Sequence, residues 1–182
     1  MKADVLISTT IPQKIINILT SPTDFFRKMP PKGGFIEPLT FIIVMGVISS
    51  VIQAVAYFLG LKTAIVMSIG LSFIIIFPLI MAISSFIGSA ILFVIWKLLG
   101  SVQSYETAYR CGAYISATTL ITTPLSFIPF IGSIISIIIN NFFFVIASIE
   151  VHSIPSKKSW LAFGIIAAIQ IFANIIIQFI SR

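Results

Sequence analysis

Apolar residues fill runs of about twenty positions, the length a helix needs to cross a hydrocarbon layer roughly 30 Å thick at about 1.5 Å per residue. Residues 39–60, 129–149 and 160–180 carry no formal charge, and 105–127 carries Glu106 and Arg110 only in its first turns. Each is predicted to span a membrane. Residues 63–99 are harder to place: as one helix they would run about 55 Å, and Pro78 interrupts them by removing an amide donor. They hold either one span with an extra segment or two short spans.

The placement of cations separates these readings, because cytoplasmic loops retain Lys and Arg close to helix ends. With five spans and the N-terminus inside, nine of the 11 Lys and Arg residues are cytoplasmic, leaving Lys62 and Arg182 outside. With six spans the division is six to five. Five spans are therefore predicted, the second at about 78–99. Its apolar lead-in, 63–77, either prolongs a tilted, Pro-kinked helix or lies in the outer interface, the kinked helix being preferred. Trp96, Tyr105, Tyr109 and Trp160 fall at the predicted cytoplasmic ends, where amphipathic rings favour the headgroup level.

Residues 1–36 are read as a cytoplasmic, interfacial segment and 37–182 as the membrane domain. Thr10-Ile11-Pro12 and Ser21-Pro22-Thr23-Asp24 each start a short helix, with Ser21 and Asp24 resembling a capping box. Ile15, Ile18, Leu19, Phe25 and Phe26 give these helices apolar faces. Lys14, Arg27, Lys28 and Lys32 offer charge to anionic lipid headgroups. No secretory leader is read in the first residues, which lack a long apolar core and a small-residue cleavage site.

Composition agrees with lipid as the solvent. Of 182 residues 58% are hydrophobic and 9% charged, with a mean hydropathy of +1.15, whereas a soluble domain carries about 25% charged residues. The net charge of +6 is assigned to orientation in the bilayer rather than to nucleic acid. One cysteine, Cys111, excludes an intramolecular disulfide and a Cys-based zinc site.

Between lipid-embedded helices, association depends on close backbone approach and hydrogen bonds. Small residues four apart supply the approach in every span, among them Gly46 with Ser50, Ser84 with Gly88, Gly112 with Ser116, Gly132 with Ser136 and Gly164 with Ala168. Asn140 and Asn141 lie mid-span, and Gln170, Asn174 and Gln178 share one face of the last span. These amides either bond neighbouring helices, the preferred reading, or line a polar path for a small solute or ion.

Topology gathers Glu37, Lys97, Glu106, Arg110, Glu150 and His152 at one membrane face as candidates for an interaction surface. Glu106 and Arg110 stand four apart, as a surface ion pair would. Glu150 opposes the helix dipole and needs a cation such as Lys97 or Arg110 nearby. His152 is read as a solvated loop residue. No catalytic residues, cofactor or metal site are assigned: there is one His, no Gly-x-Ser-x-Gly elbow, no phosphate loop and no pair of intramembrane carboxylates.

Four stretches resemble the Yip domain (Ypt-interacting) proteins. Ser21-Pro22-Thr23-Asp24-Phe25-Phe26 with Gly33-Gly34-Phe35-Ile36-Glu37-Pro38-Leu39 is similar to that family's approach to its first span. Ala113-Tyr114-Ile115-Ser116 and Ile128-Pro129-Phe130-Ile131-Gly132 resemble its third span and the turn into its fourth, and Glu150-Val151-His152-Ser153-Ile154 its signature after the fourth. The resemblance implies an all-α, polytopic five-span bundle with a cytoplasmic N-terminus. In eukaryotes such proteins are implicated in vesicle traffic with Rab-type GTPases, which implies a scaffold or adaptor. The Ile-rich composition suggests instead a prokaryotic plasma membrane, with a membrane or cytoplasmic protein as partner, its identity and any self-association left open.

Overall fold

The computed structural model describes residues 10–61 and 72–180. Among them every regular element is helical. In chain order these are α1 (Ile11–Thr20), α2 (Pro22–Lys28), α3 (Ile36–Phe58), α4 (Phe73–Leu98), α5 (Tyr105–Ile115), a 3-10 turn (Ser116–Thr118), α6 (Thr119–Leu125), α7 (Ile131–Glu150) and α8 (Ser156–Ile180). Four of them, α3, α4, α7 and α8, are long and apolar enough to cross a membrane.

The segment predicted as the third span is broken. α5 gives way to the 3-10 turn and then to α6, because hydroxyls crowd the junction and bond back to the chain: Ser116 to Ala113 O at 2.6 Å, Thr118 to Ile115 O at 2.7 Å and Thr119 to Ser116 O at 2.7 Å. Such back-bonding competes with the regular α ladder and tightens the turn. Of the lead-in 63–77, residues 63–71 lie outside the described residues, and the rest from Phe73 is continuous with α4 through Pro78.

α3 and α4 pack around that proline. A Cβ at Gly46 would stand 2.8 Å from Pro78 Cα, so only glycine permits the approach. Pro78 also leaves the Ile74 carbonyl without its amide donor. The Ser50 hydroxyl, one turn along from Gly46, comes within 3.5 Å of that oxygen. The α4–α5 crossing is similar, with Ser89 Oγ 2.9 Å from where a Gly112 Cβ would be. A third glycine shapes the link into α7: Gly132 packs on the Leu125 carbonyl, 1.8 Å from a notional Cβ. Gly88 and Gly164 have no neighbour within 4 Å of such a Cβ, so their small size serves no contact among the described residues.

The N-terminal helices lie against the bundle. Ile18, Phe25, Phe26 and Met29 are buried in one core cluster with Phe41, Tyr114, Phe143 and Phe163, so the apolar faces expected to meet lipid are covered by protein. Ser21 makes no side-chain cap, and Asp24 pairs with Arg27 instead. Trp96 and Tyr109, expected as interfacial anchors, are fully buried, because indole and phenol both find partners inside: Trp96 Nε1 donates to Ser148 Oγ at 2.7 Å, and Tyr109 stacks on Phe86. Trp160 remains exposed.

Candidate functional site

The polar groups concentrate where the start of α3, the end of α4, the start of α5 and the end of α7 meet. α5 supplies the floor. Glu106, Arg110 and Tyr114, spaced by four, share one face of that helix, which meets the loop between α2 and α3 and the first turn of α3.

Glu106 and Arg110 do not pair with each other as their spacing suggests. The Glu106 carboxylate accepts the backbone N–H groups of Gly33 at 2.7 Å and Gly34 at 2.6 Å. Gly33 and Gly34 have φ of 152° and 80°, the region that favours glycine, and this turn aims both amides at one oxygen. Arg110, only 1% exposed, spreads its fork over the same loop: Nε donates to Pro30 O at 3.1 Å, Nη1 to Gly34 O at 3.2 Å and Nη2 to Glu37 at 3.4 Å. Glu37 also binds Lys14 of α1 and accepts from Tyr114 Oη at 3.0 Å. Thr107 Oγ1 donates to Pro31 O at 2.9 Å. A planar guanidinium with fixed donors suits this task, since one side chain satisfies two loop carbonyls and a carboxylate together.

Lys14 is thus buried in an ion pair rather than offered to headgroups. Glu150, expected near Lys97 or Arg110, instead accepts Arg27 Nε at 2.9 Å and Nη2 at 3.2 Å, tying α2 to the end of α7. That bidentate pair raises the Arg27 guanidinium above its ordinary value, first through the hydrogen bonds. Lys28, Lys32 and Lys97 are exposed, Lys97 lying over the Phe93 ring.

His152 departs furthest from expectation. It is 3% exposed, stacked on Trp96 at 3.9 Å between centroids, with Nδ1 2.7 Å from Ser101 Oγ and Nε2 3.9 Å from Cys111 Sγ. Burial pushes the imidazole down from its ordinary 6.5 to about 4, and the Lys97 charge adds to the shift. The ring is therefore neutral, part of a post formed by Trp96, Ser101, Ser148 and His152 that joins the ends of α4 and α7. The sequence marks Trp96 only as an interfacial anchor and does not mark Ser148 at all. The only signal there for their pairing is a Trp and a small polar residue near helix ends.

The amides bond between helices and, in one case, along α8. Asn141 Nδ2 donates to Gln170 Oε1 at 2.8 Å, Thr118 Oγ1 to Asn140 Oδ1 at 2.8 Å, and Gln178 Nε2 to Asn174 Oδ1 at 2.7 Å and Ser133 Oγ at 3.1 Å. A groove of about 460 Å³ runs past Asn140, Asn141, Gln170 and Asn174 on α7 and α8. Among the described residues no three His, Cys, Asp or Glu side chains gather as a metal site would require.

Long apolar helices joined by amide hydrogen bonds such as Asn141–Gln170 define a multi-pass helical membrane protein. Ser21–Phe26, Gly33–Glu37, Tyr114 and Glu150–His152, far apart in the chain, meet at one end of it. The family model for the Yip1 domain matches residues 16–177, and the chain belongs to that family. No curated protein and no solved structure matches it.

Proposed function

We propose that the chain is a non-enzymatic membrane scaffold of five spans, with its N-terminus cytoplasmic, its C-terminus on the opposite side, and a preformed interaction surface at the cytoplasmic end. One observation carries the reading: Glu106, Thr107 and Arg110 of α5 spend their polar groups on the backbone of loop 29–35, which holds that loop over α5. Of the segment 1–36, the described residues 10–36 cap the helices that follow. α5, the 3-10 turn and α6 act together as the third crossing. Support comes from the starts of α3 and α5 meeting the ends of α4 and α7 at one end, which suits antiparallel passes. The excess of Lys and Arg at that end supports a cytoplasmic side for it, and the Ile-rich composition favours a prokaryotic plasma membrane.

Within this scheme Arg110 and His152 are too buried to touch a partner. Arg110 holds the cap together with Glu37, Glu106 and Glu150, and His152 braces the ends of α4 and α7, while Lys97, Lys28 and Lys32 are exposed for contact with a membrane or cytoplasmic protein. Affinity capture from native membranes tests this. Glu150→Gln frees Arg27 and α2 without altering a helix interior, and a several-fold loss of co-purified partner with insertion intact is expected. Unchanged capture overturns the reading. The amide-lined groove favours a second reading, a hydrated path for a small solute. Flux into proteoliposomes that disappears on Asn140→Leu with Gln170→Leu would replace the scaffold by a channel.

A further inference from the structure

A second groove, of about 390 Å³, lies between α1, α6, α7 and α8, walled by Leu19, Ile121, Ile138, Phe142, Trp160 and Phe163. Gly164 and Ala167 form its side on α8, and a Cβ added at Gly164 would meet nothing within 4 Å. The glycine therefore keeps the groove open rather than seating a neighbouring helix. Lys157, Trp160, Gly164 and Ala167 recur at intervals of three, four and three, so they share one face of α8. Lys157, exposed in the first turn, stands at the polar end of that face.

The charge at this end is unbalanced. All four carboxylates among the described residues are engaged: Asp24 and Glu150 by Arg27, Glu37 by Lys14 and Arg110, and Glu106 by two backbone amides. Lys28, Lys157 and Lys158 make no ion pair among those residues, so the occupant of choice is an anion. A second copy of this chain would bring the same unpaired cations and be repelled.

We infer that this groove binds an anionic phospholipid, with an acyl chain along α8 between Trp160 and Ala167 and the phosphate at Lys157. An acyl chain gains little by leaving bilayer hydrocarbon for an apolar groove. Selection among lipids therefore falls to the headgroup, where Lys157 and the N-terminal end of the 25-residue α8 both favour negative charge. The site depends on the chain crossing a bilayer and is independent of any scaffold role.

The two tryptophans make this measurable, because Trp160 is 53% exposed in the groove whereas Trp96 is fully buried. The full chain is reconstituted with brominated-chain phosphatidylglycerol or phosphatidylcholine, and tryptophan quenching is followed against lipid fraction. The anionic lipid is expected to reach half-quenching at an about fivefold lower fraction, the preference one lysine gives near a membrane surface. Trp160→Phe should abolish the quenching. Lys157→Gln should bring both lipids to the same curve, and Gly164→Leu, which fills the groove but keeps the lysine, should reduce quenching by both. Equal curves for the two lipids in the wild type would overturn the inference, as would a preference that survives Lys157→Gln. Quenching that follows protein concentration rather than lipid fraction would identify a second copy as the occupant and overturn it equally.

Discussion

Arg110→Met is the sharpest probe of the cap. It keeps most of the stem and removes the donors to Pro30 O, Gly34 O and Glu37. Lys14 still pairs with Glu37, so no carboxylate is left alone, but two carbonyls of loop 29–35 lose their only charged donor. A hydrogen bond to a charged group contributes about 1.5–3 kcal/mol, and breaking a buried pair costs about 3–5 kcal/mol. The lower figure of about 3 kcal/mol raises the population of the opened loop by more than about a hundredfold. Trypsin reads this directly, because Lys32-Gly33 lies inside the loop and cleavage there follows the open fraction when reclosing is fast. The variant should be cut at Lys32 about a hundredfold faster than wild type in detergent solution, while α3, α4, α7 and α8 stay intact. Arg110→Lys, a point charge without the fork, should fall between the two. Equal cleavage rates for Arg110→Met and wild type would show that the loop is held by something else.

Gly132→Ala should sharply lower the yield of folded protein, since the added methyl would sit 1.8 Å from the Leu125 carbonyl oxygen, whereas Gly164→Ala, with open space around it, should melt like wild type in a thermal scan. His152 sets an acid limit. Between its ordinary value of 6.5 and its folded value of about 4 the unfolded chain binds one more proton, so stability falls as pH drops through that window, by about 3 kcal/mol in all, and is level above it. Melting temperatures of wild type and His152→Gln from pH 7.5 to 4.5 should show a slope in the wild type that the variant lacks.

Much of the bundle is legible in the chain because lipid imposes a simple rule: long uncharged runs cross, and their few amides find one another. Residues 39–60 and 160–180 needed only that rule. Gly46 was readable as a point of close approach, although nothing local says that its partner is Pro78. The cap was legible only in part. The spacing of Glu106 and Arg110 suggests a pair within one helix. Both instead reach some seventy positions back to a Gly-Gly turn, since a backbone that presents two amides to one oxygen outcompetes a solvated ion pair. His152 reads as a loop residue until Trp96 and Ser101, about fifty positions away, are known to enclose it. The broken third segment was written in Ser116-Ala117-Thr118-Thr119, where successive hydroxyls compete for carbonyls, a local signal hidden by high overall hydropathy.

α8 leans on α7 through Asn141–Gln170 and the Ser133–Asn174–Gln178 set, with most of its length bare. In chain order it follows the helices that carry Trp96 and Tyr114, and it joins the bundle by those few amide latches and by Phe163, buried against Phe144. Substitution of the latches should loosen the half of α8 from Gln170 onward into the bilayer, while Phe163 keeps its first turns seated.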